Sequence, residues 1–105
     1  ISQPGENILI IDPSLPTRLA ALHAALTLSV NPIIVAFKSA PNAAASNRPL
    51  VIIIEELPES QQMTVRDLAV ATGAQVLRIH PAEPETSIVE RTIMAVKASR
   101  ALHRF

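Results

Sequence analysis

Residues 73–97 read GAQVLRIHPAEPETSIVERTIMAVK, and the expected fold can be built outward from this stretch. Gly73 is typical of a helix end, because glycine adopts the left-handed conformation that closes a helix. Residues 76–79 form a short apolar run that predicts a buried strand. His80 and Pro81 end that strand, and a helix is expected from about Glu85, where proline and carboxylates suit a first turn. The predicted order is helix, strand, helix.

Three further apolar runs predict three more strands, at residues 8–11 (ILII), 33–37 (IIVAF) and 50–54 (LVIII). Helices are expected at residues 16–28, 63–72 and 85–102. Continuous apolar strands that alternate with helices are typical of a parallel sheet covered on both faces. The predicted fold class is therefore α/β, a doubly wound parallel sheet in which residues 50–54 lie centrally.

Two further segments are predicted from their apolar spacing and composition, one as a helix and one as a loop. The helix at residues 16–28 carries Leu19, Leu22 and Leu26 at helical spacing, with alanines between them. Residues 38–49 read KSAPNAAASNRP, where an alanine triplet is flanked by Pro, Asn and Ser on both sides. These flanking residues favour a loop over a helix.

The composition limits the class of protein. The 105 residues are 49% hydrophobic and 17% charged, as in a globular chain that fits one domain. The formal net charge of zero argues against a DNA- or RNA-binding protein with a broad basic surface. The absence of cysteine excludes disulfides and agrees with a cytoplasmic location. No apolar run is long enough to span a membrane. Because the sequence starts at Ile1 without Met, we interpret residues 1–105 as one domain of a larger protein.

Catalysis and metal binding are not expected from the motifs. His23, His80 and His103 are far apart and lack the spacing of metal ligands on one helix. With only two glycines, the chain has neither a phosphate-binding loop nor a dinucleotide-binding fingerprint. The expectation is a domain that is not an enzyme and needs no cofactor.

The order helix, Gly-Ala, strand, basic residue-Pro and acidic helix start resembles the last third of bacterial response-regulator receiver domains. His80 stands where that family has Lys. The resemblance implies a CheY-like, flavodoxin-like fold that is shortened by about one strand–helix unit. It leaves open whether residues 50–54 are the third or the fourth receiver strand.

In a receiver, a phosphoacceptor Asp, an acidic metal-binding pair and a Lys meet at the carboxyl ends of the strands. Asp12 matches the first member of the acidic pair, but Pro13 replaces the second. If residues 50–54 are the third strand, Glu55 is the nearest carboxylate to the phosphoacceptor position, and if they are the fourth strand, the phosphoacceptor is absent. A largely neutral His80 supplies little of the fixed charge of Lys. The resemblance therefore implies a pseudo-receiver that is not phosphorylated, with a vestigial acidic pocket at Asp12, Glu55, Glu56 and His80. The simpler alternatives are that Asp12 is a turn residue and that the other three end their strands.

The resemblance also implies an interaction face on the last strand and its flanking helices, with the candidate residues Arg66, Leu77, Arg78, Ile79, Pro81 and Arg91. The first functional hypothesis is a regulatory domain that contacts other domains of a two-component signalling protein, such as a hybrid histidine kinase. The alternative is a cyclic di-GMP sensor that releases the partner domain, since some pseudo-receivers bind this ligand at the last strand. Pairing with a second copy stays open, and so does the reading that these arginines are simply solvated.

Overall fold

The computed structural model describes residues 6–80 and 82–102. The strands are β1 (Asn7–Ile11), β2 (Asn31–Val35), β3 (Val51–Ile54) and β4 (Gln75–Arg78). The helices are α1 (Leu15–Leu28), α2 (Ala40–Asn47), α3 (Glu59–Thr72) and α4 (Glu85–Leu102), and a 3-10 turn at Phe37–Ser39 precedes α2. The strands form one parallel sheet in the order β2-β1-β3-β4.

The sheet confirms the predicted fold class, a doubly wound α/β fold with one strand–helix unit fewer than a five-stranded flavodoxin-like sheet. β1 and β3 occupy the centre, and the pairing of Ile10 with Ile53 sets their register. Every residue of β3 is buried, as expected for a parallel strand covered on both faces. The apolar run at residues 50–54 therefore lies where its composition predicted.

Helices cover both faces of the sheet. On one face α1 and α4 pack over Ile8, Ile10 and Ile53, and on the other α2 and α3 pack over Leu9 and Ile52. Alternate residues of each central strand serve opposite halves of the core, because successive side chains point to opposite faces. None of the helices within residues 6–80 and 82–102 has both the length and the apolar character needed to cross a bilayer.

The prediction of a loop at residues 38–49 is wrong, because α2 occupies Ala40–Asn47. Pro41 sits in the first turn, where its missing N–H costs no hydrogen bond. Ala40 and Ala44 are buried against Leu9 and Ile52. Packing of this narrow alanine face on the sheet outweighs the flanking Asn and Ser residues that favour a loop.

Two boundaries also differ from the expectation. β2 begins at Asn31, two residues earlier than predicted, and includes Pro32. The structure can hold Pro32 there because β2 is an edge strand, and the proline lies where no neighbouring strand needs its N–H. α3 begins at Glu59 rather than at residue 63 and ends at Thr72, and the φ of 73° at the following Gly73 confirms the expected left-handed cap.

Three of the five leucines of α1 are exposed, whereas Leu22 is half-buried and Leu28 packs against the core. Leu15, Leu19 and Leu26 are exposed, whereas Ala20, Ala21, Ala24 and Ala25 are buried. Alanine on the inner side lets α1 approach the sheet and α4 closely. Of the leucines at helical spacing, Leu19 and Leu26 are therefore exposed and Leu22 is half-buried, while the fully buried side of the helix is formed by alanines.

Candidate functional site

The carboxylates at the ends of β1 and β3 are bound to neighbouring loops. Asp12, whose φ is 45°, accepts a hydrogen bond from the Phe37 backbone N–H at 3.0 Å. Glu55 accepts hydrogen bonds from the backbone N–H of Ser14 and from its hydroxyl, the latter at 2.9 Å. These bonds fix the turns that follow β1 and β3.

Three of the four residues of the predicted acidic pocket line two separate hollows among the described residues. Asp12 lines a small hollow beside β2 with Arg18, while Glu56 and His80 line a second hollow near β4. Within the described ranges 6–80 and 82–102, no group of three or more His, Asp or Glu side chains is placed to hold a metal ion.

A different site lies along the exposed side of β4, on the α3 face of the sheet. Here a groove of about 480 Å³ is lined by Ile54, Gln62, Val65, Arg66, Val76, Arg78, His80 and Arg91. Its arginines come from three elements: Arg66 from α3, Arg78 from β4 and Arg91 from α4. We call this site the arginine groove. It unites three of the six residues predicted for the interaction face.

The other three predicted residues have different positions. The side chains of Leu77 and Ile79 are buried in the core cluster that also contains residues of α4, so they expose little surface to a partner. Pro81 lies outside the described residues. Because the side chains alternate along β4, Val76 and Arg78 face the groove, and Leu77 faces the core.

Two of the arginines are held by neighbouring side chains. Arg78 donates a hydrogen bond from Nη2 to Oε1 of Gln62 at 2.8 Å. Arg91 forms an ion pair from Nη1 to Oε1 of Glu83 at 2.6 Å. Among the described residues, the Arg66 side chain has no hydrogen-bond or ion-pair partner. Each guanidinium carries five N–H donors, so most donors remain available to a bound anion.

Glu83 anchors the end of the groove. Its side chain is 7% exposed, and it accepts hydrogen bonds from the Ser87 hydroxyl at 2.8 Å and the His80 backbone N–H at 3.3 Å. Burial by itself raises the pKa of Glu83, but the hydrogen bonds from Arg91, Ser87 and His80, together with the Arg91 charge, lower the pKa below 4.5. The sequence placed Glu83 only in a helix start, because nothing local reveals its contact with Arg91.

The lowered pKa of Glu83 makes stability depend on pH. A carboxyl group whose pKa is lower in the folded than in the unfolded state stabilises the fold above the unfolded-state pKa, and this stabilisation is lost as the pH falls through the folded-state pKa. We therefore expect the free energy of unfolding to decrease as the pH is lowered past about 4.5, which is the unperturbed pKa of a glutamate side chain. Urea unfolding of the wild type and Glu83→Gln between pH 6 and pH 3 measures the contribution. The difference in free energy of unfolding between the wild type and Glu83→Gln should shrink as the pH falls. A difference that stays constant with pH would contradict a lowered pKa of Glu83.

The structure is similar to the lactose-specific IIB component domain of the phosphoenolpyruvate:carbohydrate phosphotransferase system from Streptococcus pneumoniae. The TM-score is 0.56 at 15% sequence identity, and the match covers 90% of this chain and 93% of that chain. This similarity shows the fold alone. No protein-family model matches the sequence, and no curated protein matches it.

The comparison corrects the resemblance to receivers. The predictions of a pseudo-receiver, of a role in two-component or histidine-kinase signalling, and of a cyclic di-GMP sensor are wrong, since the structural match is to a phosphotransferase IIB domain. The features that suggested a receiver were Gly73 as a helix cap, a buried strand and a proline before an acidic helix start. Each has a local physical cause that operates in any helix–strand–helix unit of a parallel sheet.

Proposed function

We propose that this domain is a binding module that recognises an anionic group of a partner through the arginine groove. The observation that carries the proposal is the convergence of Arg66, Arg78 and Arg91, from three separate elements, on one groove. Guanidinium groups bind carboxylates and phosphates through paired hydrogen bonds, and their charge persists at all physiological pH values.

The charge of the groove is local. The chain as a whole has a formal net charge of zero, whereas three arginines line the groove and one carboxylate, Glu83, pairs with Arg91 beside it. Gln62 and Glu83 hold Arg78 and Arg91 in place, which lowers the entropy cost of ordering these side chains around a ligand. Both features favour an anionic partner over a neutral one.

We propose binding without catalysis. The structural neighbour is a component of a phosphotransferase system, which acts on phosphoryl groups, but here the carboxylates of Asp12 and Glu55 are engaged by the loops that they fix. We place the domain in the cytoplasm, since its stability comes from an apolar core and needs no disulfide from an oxidising compartment.

Titration with sodium tripolyphosphate, a small polyanion, tests the proposal. Arg78→Gln should weaken binding about tenfold, because it removes one charge-assisted contact, and binding should weaken further at high salt. Arg18→Gln, on the exposed surface of α1, is the matched control and should leave the affinity unchanged. Equal losses in both variants would indicate nonspecific attraction, and no binding to the wild type would refute the groove as an anion site.

A further inference from the structure

The open edge of β4 carries an inference that rests on the proposed function and specifies the partner. β4 pairs with β3 on one side, and no strand within residues 6–80 and 82–102 pairs with its other side. The backbone N–H groups of Gln75 and Ile79 donate to Leu50 and Ile54 on the β3 side. Because backbone groups alternate in direction along a strand, the N–H and C=O groups of Val76 and Arg78 point to the open edge.

The two edges of the sheet differ in a way that matters for recognition. In β2, Asn31 donates its N–H to Glu6, towards the β1 side, so the alternating position Pro32 lies on the outer edge and has no N–H to offer. A proline at this position blocks the addition of a strand, a common protection of edges. β4 contains no proline, and its outward backbone groups lie directly beside the arginine groove.

We infer that an extended acidic segment of a partner protein adds to the open edge of β4 as a fifth strand. Its backbone would bond to Val76 and Arg78, and alternate side chains would project over the α3 face into the groove. Glutamate or aspartate at every second position would meet Arg78 and its neighbours Arg66 and Arg91. Val76, which is 42% exposed, supplies an apolar contact on the same face.

Charge selects this occupant over a second copy of the chain. Pairing β4 with β4 of another copy would bring two sets of arginines onto one short ladder, and like charges across strands destabilise a sheet. An acidic strand reverses the sign of that interaction. The arginines therefore serve both to prevent self-association at this edge and to attract the acidic strand.

The test uses an acetylated, amidated hexapeptide in which Glu alternates with Val, titrated into the domain by calorimetry. Two derivatives carry backbone N-methyl groups on the Glu residues or on the Val residues. Only one of these sets has its N–H groups turned towards β4, so one derivative should lose about tenfold or more in affinity, while the other binds like the parent peptide. The sensitive set also identifies the strand direction, because glutamates facing the groove turn their N–H groups to β4 only in an antiparallel arrangement.

A substitution in β4, in place of a change in the peptide, tests the same edge. Val76→Pro removes an outward N–H and mimics Pro32 of β2, so it should abolish binding of the hexapeptide while retaining binding of tripolyphosphate. Its fold is verified by circular dichroism, and if it fails to fold the methylated peptides still decide. Equal affinity of all three peptides would overturn strand addition but leave the anion site intact. Tripolyphosphate binding without any peptide binding would do the same, whereas no binding of either probe would overturn both proposals.

Discussion

Ile53→Ala is expected to lower the free energy of unfolding by about 2–5 kcal/mol, the range for removing a large buried aliphatic side chain. Ile53 is fully buried in β3, in register with Ile10 of β1 and Leu77 of β4. The deletion leaves a cavity between two neighbouring strands and the α1–α4 layer, where the surrounding backbone has little freedom to collapse. Urea denaturation followed by circular dichroism gives the difference.

Ile34→Ala is the matched control for this prediction. Ile34 lies in the edge strand β2, pairs with Ile10, and is 38% exposed. The same chemical change there removes less buried surface and leaves a gap that water can enter, so we expect a loss of about 1 kcal/mol or less. If both variants lost the same stability, β3 would not be the central strand of the sheet.

The strands could be predicted because their apolar runs are continuous and their ends carry strong local signals. Residues 8–11 and 50–54 have no polar interruption, and Gly73 adopts the left-handed cap without steric cost because it has no Cβ. α2 could not be predicted in the same way. Its stability comes from burying Ala40 and Ala44 on a sheet assembled from distant segments, and a local sequence window contains no trace of that contact.

Part of the candidate site could also be predicted from the sequence. Arg66, Arg78 and Arg91 could be assigned to neighbouring elements from the order of strands and helices alone. What sequence reasoning missed is which side chains hold them. Gln62 on α3 accepts a hydrogen bond from Arg78 on β4, and Glu83 before α4 pairs with Arg91 eight residues later, contacts that only the folded chain brings together. The alternation of side chains along β4 does show which face of the sheet Arg78 occupies. If Leu77 faces the core shared with α4, Arg78 must lie on the opposite face.

The second large effect on stability is expected from a substitution on the buried side of α1. Ala24 is fully buried on the inner side of α1, whereas Leu26 on the opposite side of the helix is 82% exposed. Ala24→Leu should therefore cost about 1–3 kcal/mol, because the added methylenes must push α1 away from its neighbours. Leu26→Gln should change stability by no more than about 0.5 kcal/mol, since it exchanges one exposed side chain for another of good helix propensity.

Urea denaturation of the two variants, with helix content checked by circular dichroism, separates the two possible orientations of α1. A helix with its leucines in the core would show the opposite result, with Leu26→Gln strongly destabilising and Ala24→Leu tolerated. The expected result would confirm that small side chains set the distance between α1 and the sheet. A prediction that placed the leucines in the core would orient α1 half a turn away from its observed position. Hydrophobic periodicity identifies an apolar side of a helix, but when alanines line the opposite side it does not show which of the two is buried.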